Sequence, residues 1–179
     1  MPRALIVVDF QNDFTPGGAL GVRDGDAIAG RINELAASGG FDLVVATRDW
    51  HPPDHGSFAE QGGIWPAHCV AGSEGAELHP ALDGALVDVI VDKGQDRDAD
   101  GYSGFEATEL ERVLRERDID ELVLTGIATD YCVKNTALDA LRAGFAVTVD
   151  RDAVRGVDVE PGDSERALDE LRAAGATVG

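Results

Sequence analysis

Two cysteines occur in the chain, and one of them sits where a thiol can react. Cys132 closes the run Thr125-Gly-Ile-Ala-Thr-Asp-Tyr-Cys132, between a strand-like apolar stretch, 121–125, and a helix-like stretch that begins near Asp130. At such a turn the unpaired N–H groups and dipole of the helix favour thiolate over thiol, which makes Cys132 a candidate nucleophile. A lone intracellular cysteine is more often a small buried hydrophobe, so its company has to decide. Asp9 and Lys93 each end an apolar run with the character of a buried strand, and the chain has only one other lysine, Lys134. A carboxylate can accept the thiol proton, and an ammonium lets a thiolate and a carboxylate coexist in a dry pocket.

All four histidines, at 51, 55, 68 and 79, lie in the segment 48–85, which shows no clear periodicity. A stretch that long without structure is more often functional than idle. Asp49-Trp-His51 offers two ligand types one residue apart, and His68 can complete a two-histidine, one-carboxylate set. Such a set suits zinc, iron or manganese and leaves positions open for water or substrate. His55 is a fourth ligand or an outer donor, and His79, before Pro80, reads as structural.

The elements that must position these groups alternate. Short runs rich in Val and Ile at 3–9, 42–47, 86–92, 121–125 and 145–150 read as parallel strands covered on both faces, with a short sixth at 176–178. Amphipathic windows lie between them: Ile28, Ile32 and Leu35; Leu110, Val113 and Leu114; Val133, Ala137, Ala140 and Leu141; Leu168 and Leu171. Gly144 and Gly175 are placed to end the last two helices, and Ser103-Gly-Phe-Glu106 and Thr108-Glu-Leu-Glu111 are alternative capping boxes for the second. The pattern predicts a three-layer α/β/α domain, 1–179, with a mainly parallel sheet. Ligands of such sheets bind beyond the carboxyl ends of the strands, where Asp9, Asp49 with His51, Lys93 and the turn before Cys132 all fall.

Composition sets bounds. There are 15 basic against 34 acidic residues, a net charge of −19, which disfavours nucleic acid and anionic membrane as partners. The acidic residues are scattered, so a solvated surface adapted to high salt is the favoured reading, with an ordinary acidic enzyme as the alternative. The first ten residues hold too short an apolar run for a signal peptide, no stretch approaches the roughly 18 apolar residues of a membrane span, and two unlike cysteine settings make no disulfide framework. A cytoplasmic protein is expected.

Five motifs in fixed order carry a resemblance: Asp9-Phe-Gln-Asn-Asp-Phe14, Thr47-Arg-Asp-Trp-His51-Pro, Trp65-Pro-Ala-His68-Cys-Val, Lys93-Gly with Tyr102-Ser-Gly-Phe, and Gly126-Ile-Ala-Thr-Asp-Tyr-Cys132-Val. Together, over residues 3–150, they resemble the nicotinamidases among the isochorismatase-like cysteine hydrolases. The resemblance implies deamidation of nicotinamide to nicotinate and ammonia, with pyrazinamide as a second substrate, through a thioester on Cys132. It implies Asp9 as proton carrier and Lys93 as electrostatic stabiliser. The oxyanion hole would be the N–H groups of Ala128 and Cys132, in a turn with a cis peptide between Ile127 and Ala128. The metal on Asp49, His51 and His68, zinc for preference with iron or manganese as alternatives, would face the pyridine nitrogen, and Phe14, Leu20, Trp65, Tyr102 and Ile127 would contact the ring. A small molecule is the expected partner, with homo-oligomerisation left open. The rivals are a sister hydrolase, such as an N-carbamoylsarcosine amidase or ureidoacrylate hydrolase, and more remotely a metal protein needing none of Asp9, Lys93 and Cys132.

Overall fold

Successive residues of the apolar runs face opposite sides of one sheet, which is why the runs are unbroken. Ala4, Ile6 and Val8 pack into one apolar cluster and Leu5 and Val7 into another; Leu43 and Val45, and Leu122 and Leu124, join the first, while Val44, Ala46 and Val123 join the second. In the computed structural model, which describes residues 1–179, the strands are β1 (Arg3–Val8), β2 (Leu43–Asp49), β3 (Val89–Lys93), β4 (Glu121–Ile127), β5 (Ala146–Arg155) and β6 (Thr177–Val178). All five pairings are parallel, in the order β3-β2-β1-β4-β5-β6. The helices are α1 (Ala29–Ala37), α2 (Leu110–Arg115), α3 (Lys134–Arg142) and α4 (Asp163–Ala174). The first cluster takes side chains from α2, α3 and α4 and the second from α1 and the loops after β1 and β2, so both faces are covered. No helix is long and apolar enough to cross a membrane.

This α/β fold matches the expectation, with differences at element ends. β2 runs two residues past the apolar run, because Asp49 pairs in register with Lys93. β5 continues past Asp150 to Arg155 after its register with β4 shifts between Leu124 and Gly126. Neither capping box forms. Thr108 Oγ1 instead accepts the Leu110 N–H at 3.2 Å, Ser103 Oγ accepts the Phe105 N–H, and Glu111 pairs with Arg115. Gly144 and Gly175 do follow α3 and α4 with φ of 91° and 110°. The helix expected near Asp130 opens as a wide π-type turn over Thr129–Val133 before α3 begins.

The chain changes direction between β1 and β4, its neighbour across the sheet, and their ends carry Asp9 and the turn to Cys132. That is the switch point at which open parallel sheets hold ligands. Gly126 makes the approach close: a Cβ there would stand 2.0 Å from the Val8 carbonyl oxygen, and its φ is 111°.

Candidate active site

Register carries Asp9, Lys93 and the turn to Cys132 to one place. Val8 is opposite Thr47 on one side and Gly126 on the other, and Asp49 is opposite Lys93, so Lys93, Asp49, Asp9 and the turn to Cys132 stand across adjacent strand ends. Asp9, Lys93 and Cys132 are 0%, 1% and 5% exposed. The donor atoms of Asp9, Asp49 and Cys132 all lie within 4.8 Å of one another. Asp9 is held with φ at 47°, in the left-handed region that a non-glycine residue seldom occupies.

Lys93 organises the group. An ammonium has three donors, and those of Lys93 reach Asp49 Oδ1 at 2.6 Å, the Gly101 carbonyl at 2.9 Å and Cys132 Sγ at 3.4 Å. Its nitrogen also lies 2.9 Å from Asp9 Oδ2, yet that oxygen receives no hydrogen bond and is buried. The other Asp9 oxygen, Oδ1, accepts from Thr47 Oγ1 at 2.8 Å. Asp9 Oδ2 therefore lies buried directly beside the Lys93 ammonium.

Burial lifts the Asp9 carboxyl above the usual carboxylate range, against the opposing pull of Lys93. Burial also pushes the Cys132 thiol well up, with Asp9 and Asp49 adding to the rise and Lys93 opposing it. Desolvation of a buried sulfur among two carboxylates thus works against the thiolate that a helix start favours. Lys93 stays charged, because the attraction of Asp49 and Asp9 outweighs its own desolvation. Burial works to raise Asp49 too, but Lys93 and His51 hold it below its ordinary value.

The residues present fit a divalent ion. The ligand atoms of Asp49, His51 and His68 lie within 4.8 Å of one another, and all three residues are buried. Nδ1 of His51 meets the Gly94 carbonyl at 2.6 Å and Nδ1 of His68 the Pro66 carbonyl at 2.8 Å. A carbonyl only accepts, so each Nδ1 carries the proton and each Nε2 offers a lone pair. Asp49 Oδ1 is taken by Lys93, which leaves Oδ2, 3.4 Å from His51 Nε2. Backbone pairing brings the histidines together: the His51 N–H donates to the Cys69 carbonyl and the Ala71 N–H to the His51 carbonyl. His55 has both nitrogens engaged, Nδ1 with Ser57 Oγ at 2.6 Å and Nε2 with the Ala99 carbonyl at 2.9 Å, and stacks on His51 at 3.9 Å between ring centres. Of its two expected roles, that of outer support fits. His79 packs on Phe10 and accepts the Ala81 N–H, a structural role as expected.

A cavity beyond these groups is lined by Asp49, His51, His68, Ala128 and Cys132, with Phe14, Leu20, Trp65 and Tyr102 as the apolar walls expected. Trp65 Nε1 donates to the Tyr102 hydroxyl at 3.1 Å. The Ile127–Ala128 peptide is cis, and the Ile127 side chain is fully buried in the core cluster beneath rather than among the lining residues. Several lining or supporting residues escaped sequence reasoning. Tyr131 and Val157 also line the cavity, Thr47 holds Asp9, and Gln11 grips Asp49 by accepting its N–H and donating to its carbonyl, both at 2.9 Å. Tyr131 lies one residue before Cys132 and could have been suspected; Val157, on a loop after β5, left no local signal.

The chain matches the isochorismatase domain family over residues 3–179. It belongs to that family. It is 45% identical to a nicotinamidase of Escherichia coli over an alignment of 201 positions, covering 99% of this chain and 94% of the relative. A crystal structure of a Pyrococcus horikoshii pyrazinamidase in complex with zinc superposes with a TM-score of 0.92 at 47% identity, covering 100% of this chain and 99% of the other. An L. infantum protein crystallised in complex with nicotinate gives a TM-score of 0.94 at 36% identity, covering 99% and 92%.

Proposed function

We propose that this isochorismatase-family chain is an amidohydrolase that converts nicotinamide to nicotinate and ammonia and accepts pyrazinamide. The observation that carries the chemistry is a buried Asp9 carboxylate within 4.8 Å of the Cys132 sulfur, with Lys93 Nζ 2.9 Å from Asp9 Oδ2 and 3.4 Å from Cys132 Sγ. The relatives carry the substrate: proteins alike over nearly the whole chain are a nicotinamidase, a pyrazinamidase with zinc and a nicotinate complex.

In the proposed reaction Cys132 Sγ attacks the amide carbon as its proton passes to the Asp9 carboxylate, and Lys93 offsets the sulfur's developing charge. N–H groups of Ala128 and Cys132 receive the oxyanion. Asp9 returns the proton to the leaving nitrogen, so ammonia departs and a thioester remains. Water then attacks the thioester, Asp9 takes a proton from it, and the thiol is restored with release of the acid. Asp49, His51 and His68 would hold a divalent ion, for which zinc is proposed. Such an ion supplies a Lewis acid for a pyridine nitrogen, and so orients the ring. Phe14, Leu20, Trp65 and Tyr102 enclose the ring.

The cytoplasm is the proposed compartment, consistent with two free buried thiols, and the chain is read as one domain with no nucleic-acid or membrane partner. Ammonia release from nicotinamide by purified protein, before and after chelation, tests the function. Release that chelation suppresses supports it, and release only from an N-carbamoyl or ureido compound would transfer the chain to a sister activity.

A further inference from the structure

The segment after β5 is hydrogen-bonded to the catalytic turn through the side chain of Asp130. Asp130, two residues before Cys132, is 7% exposed, and its two oxygens accept the N–H groups of Val157 and Asp158, each at 2.9 Å. Neither bond belongs to a helix or a strand ladder. Gly156 permits this seat, since a Cβ there would stand 1.7 Å from Ser164 Oγ and 3.1 Å from Asp130 Oδ1. On its far side the segment is tied to the start of α4, where Asp158 accepts the Ser164 N–H at 2.7 Å and the Ser164 hydroxyl at 2.9 Å. Between these ties Val157 forms part of the wall of the cavity that contains Cys132.

We infer that Asp130 is a positioning residue for substrate binding: its carboxylate docks residues 156–158 on the catalytic turn and so fixes Val157 as a wall of the ring pocket. The physical reason is the pairing of an acceptor-only carboxylate with two N–H groups that no neighbouring strand is placed to satisfy. Without it the loop keeps its tie to α4 but loses its tie to the site. The pocket then loses an apolar wall while Asp9, Lys93 and Cys132 keep theirs. The role as a substrate wall rests on the amide-hydrolysis reading; the docking of the loop does not.

The test uses Asp130→Asn, which preserves volume but leaves one acceptor, together with Val157→Ala and the double variant. For nicotinamide, Asp130→Asn should raise KM roughly fivefold, the equivalent of one lost hydrogen bond, with kcat changed less than about twofold. The double variant should cost little more than the worse single one, because both act through the same wall. Iodoacetamide labelling of Cys132, which needs no substrate, should be faster in Asp130→Asn and in Val157→Ala. A fall in kcat with KM unchanged, additive costs, or labelling as slow as in the wild type would overturn the inference. If Asp130→Asn does not fold, Gly156→Ala, which displaces the same segment from the other side, must give the same KM split and faster labelling. If wild-type protein releases no ammonia from nicotinamide, the amidase reading fails, and the labelling rates alone judge the loop.

Discussion

The floor and the walls of the cavity are built by different means. Asp9, Lys93 and Cys132 stand at or just beyond the ends of β1, β3 and β4, where ladder hydrogen bonds and two covered sheet faces set their places. The candidate metal ligands His51 and His68, with Phe14, Trp65, Tyr102 and Val157, come from loops. These are held by short backbone pairings, such as His51 with Cys69 and Ala71, and by scattered side-chain bonds: Gln11 on Asp49 and the Ala76 carbonyl, Asp13 on the Cys69 N–H at 2.7 Å, and His51 on the Gly94 carbonyl. Altering the floor should therefore change the chemical step, and altering the walls should change binding. Asp49 belongs to both, since one oxygen faces Lys93 and the other faces the histidines.

The sharpest separation is expected at sulfur. Cys132→Ala should abolish turnover and Cys69→Ser should retain substantial activity, because Cys69 is buried beneath the loops and burial pushes its thiol far up. Iodoacetamide should label Cys132 first; equal loss in both variants would place the nucleophile in the wall. Next, Lys93→Met should fold and lose roughly 10²-fold in kcat, as removal of an electrostatic stabiliser does, with little change in KM. Near-normal turnover in folded Lys93→Met would take Lys93 out of the chemistry.

His51→Ala probes the wall. Metal analysis should show one ion per chain in the wild type and a large loss in the variant, and KM should rise at least about tenfold. A metal-free variant that binds and hydrolyses nicotinamide normally would end the positioning role. A smaller effect is expected from Thr47→Val, read through pH. The base form of Asp9 is the ionised one, so kcat/KM should fall as pH drops through a value above the ordinary carboxylate range. The Thr47 hydroxyl donates to that carboxylate and favours its charged form. Its loss should move the acid limb upward in pH; a limb that stays put would assign it to another group.

The smallest effect distinguishes surface from site. With a net charge of −19, the melting temperature should rise by a few degrees between about 0.1 M and about 2 M KCl, as screening relieves repulsion among exposed acids. The buried floor is shielded from salt, so kcat per folded molecule should move less. A flat or falling melting temperature would reject a high-salt surface and leave the hydrolase reading intact.

Much of the floor was legible in the sequence. Unbroken Val- and Ile-rich runs required a sheet covered on both faces, and topology then sends whatever follows each run to one edge, which placed Asp9, Lys93 and the turn before Cys132 together. The ligand set was visible as a spacing, Asp49-Trp-His51, but its completion by His68 depends on a pairing between the segments at 51 and 69–71 that no periodicity encodes. The environment of the thiol was legible only in part for a related reason: a dipole argument is local, whereas burial beside two carboxylates, which pushes the thiol up, is not.

Local pattern by itself determined which residues are buried, on which face, and at which strand ends, because burial and side-chain alternation follow from the order of apolar and polar residues. Tertiary structure alone decided which partner each polar atom finds. Lys93 pairs with Asp49 as well as Asp9, His55 gives both nitrogens to Ser57 and the Ala99 carbonyl, Ile127 turns into the core, and Asp130 captures Val157 from a loop 27 residues on. A hydrogen bond is satisfied by whichever donor arrives within about 3 Å, and only the folded register of distant segments fixes which one that is.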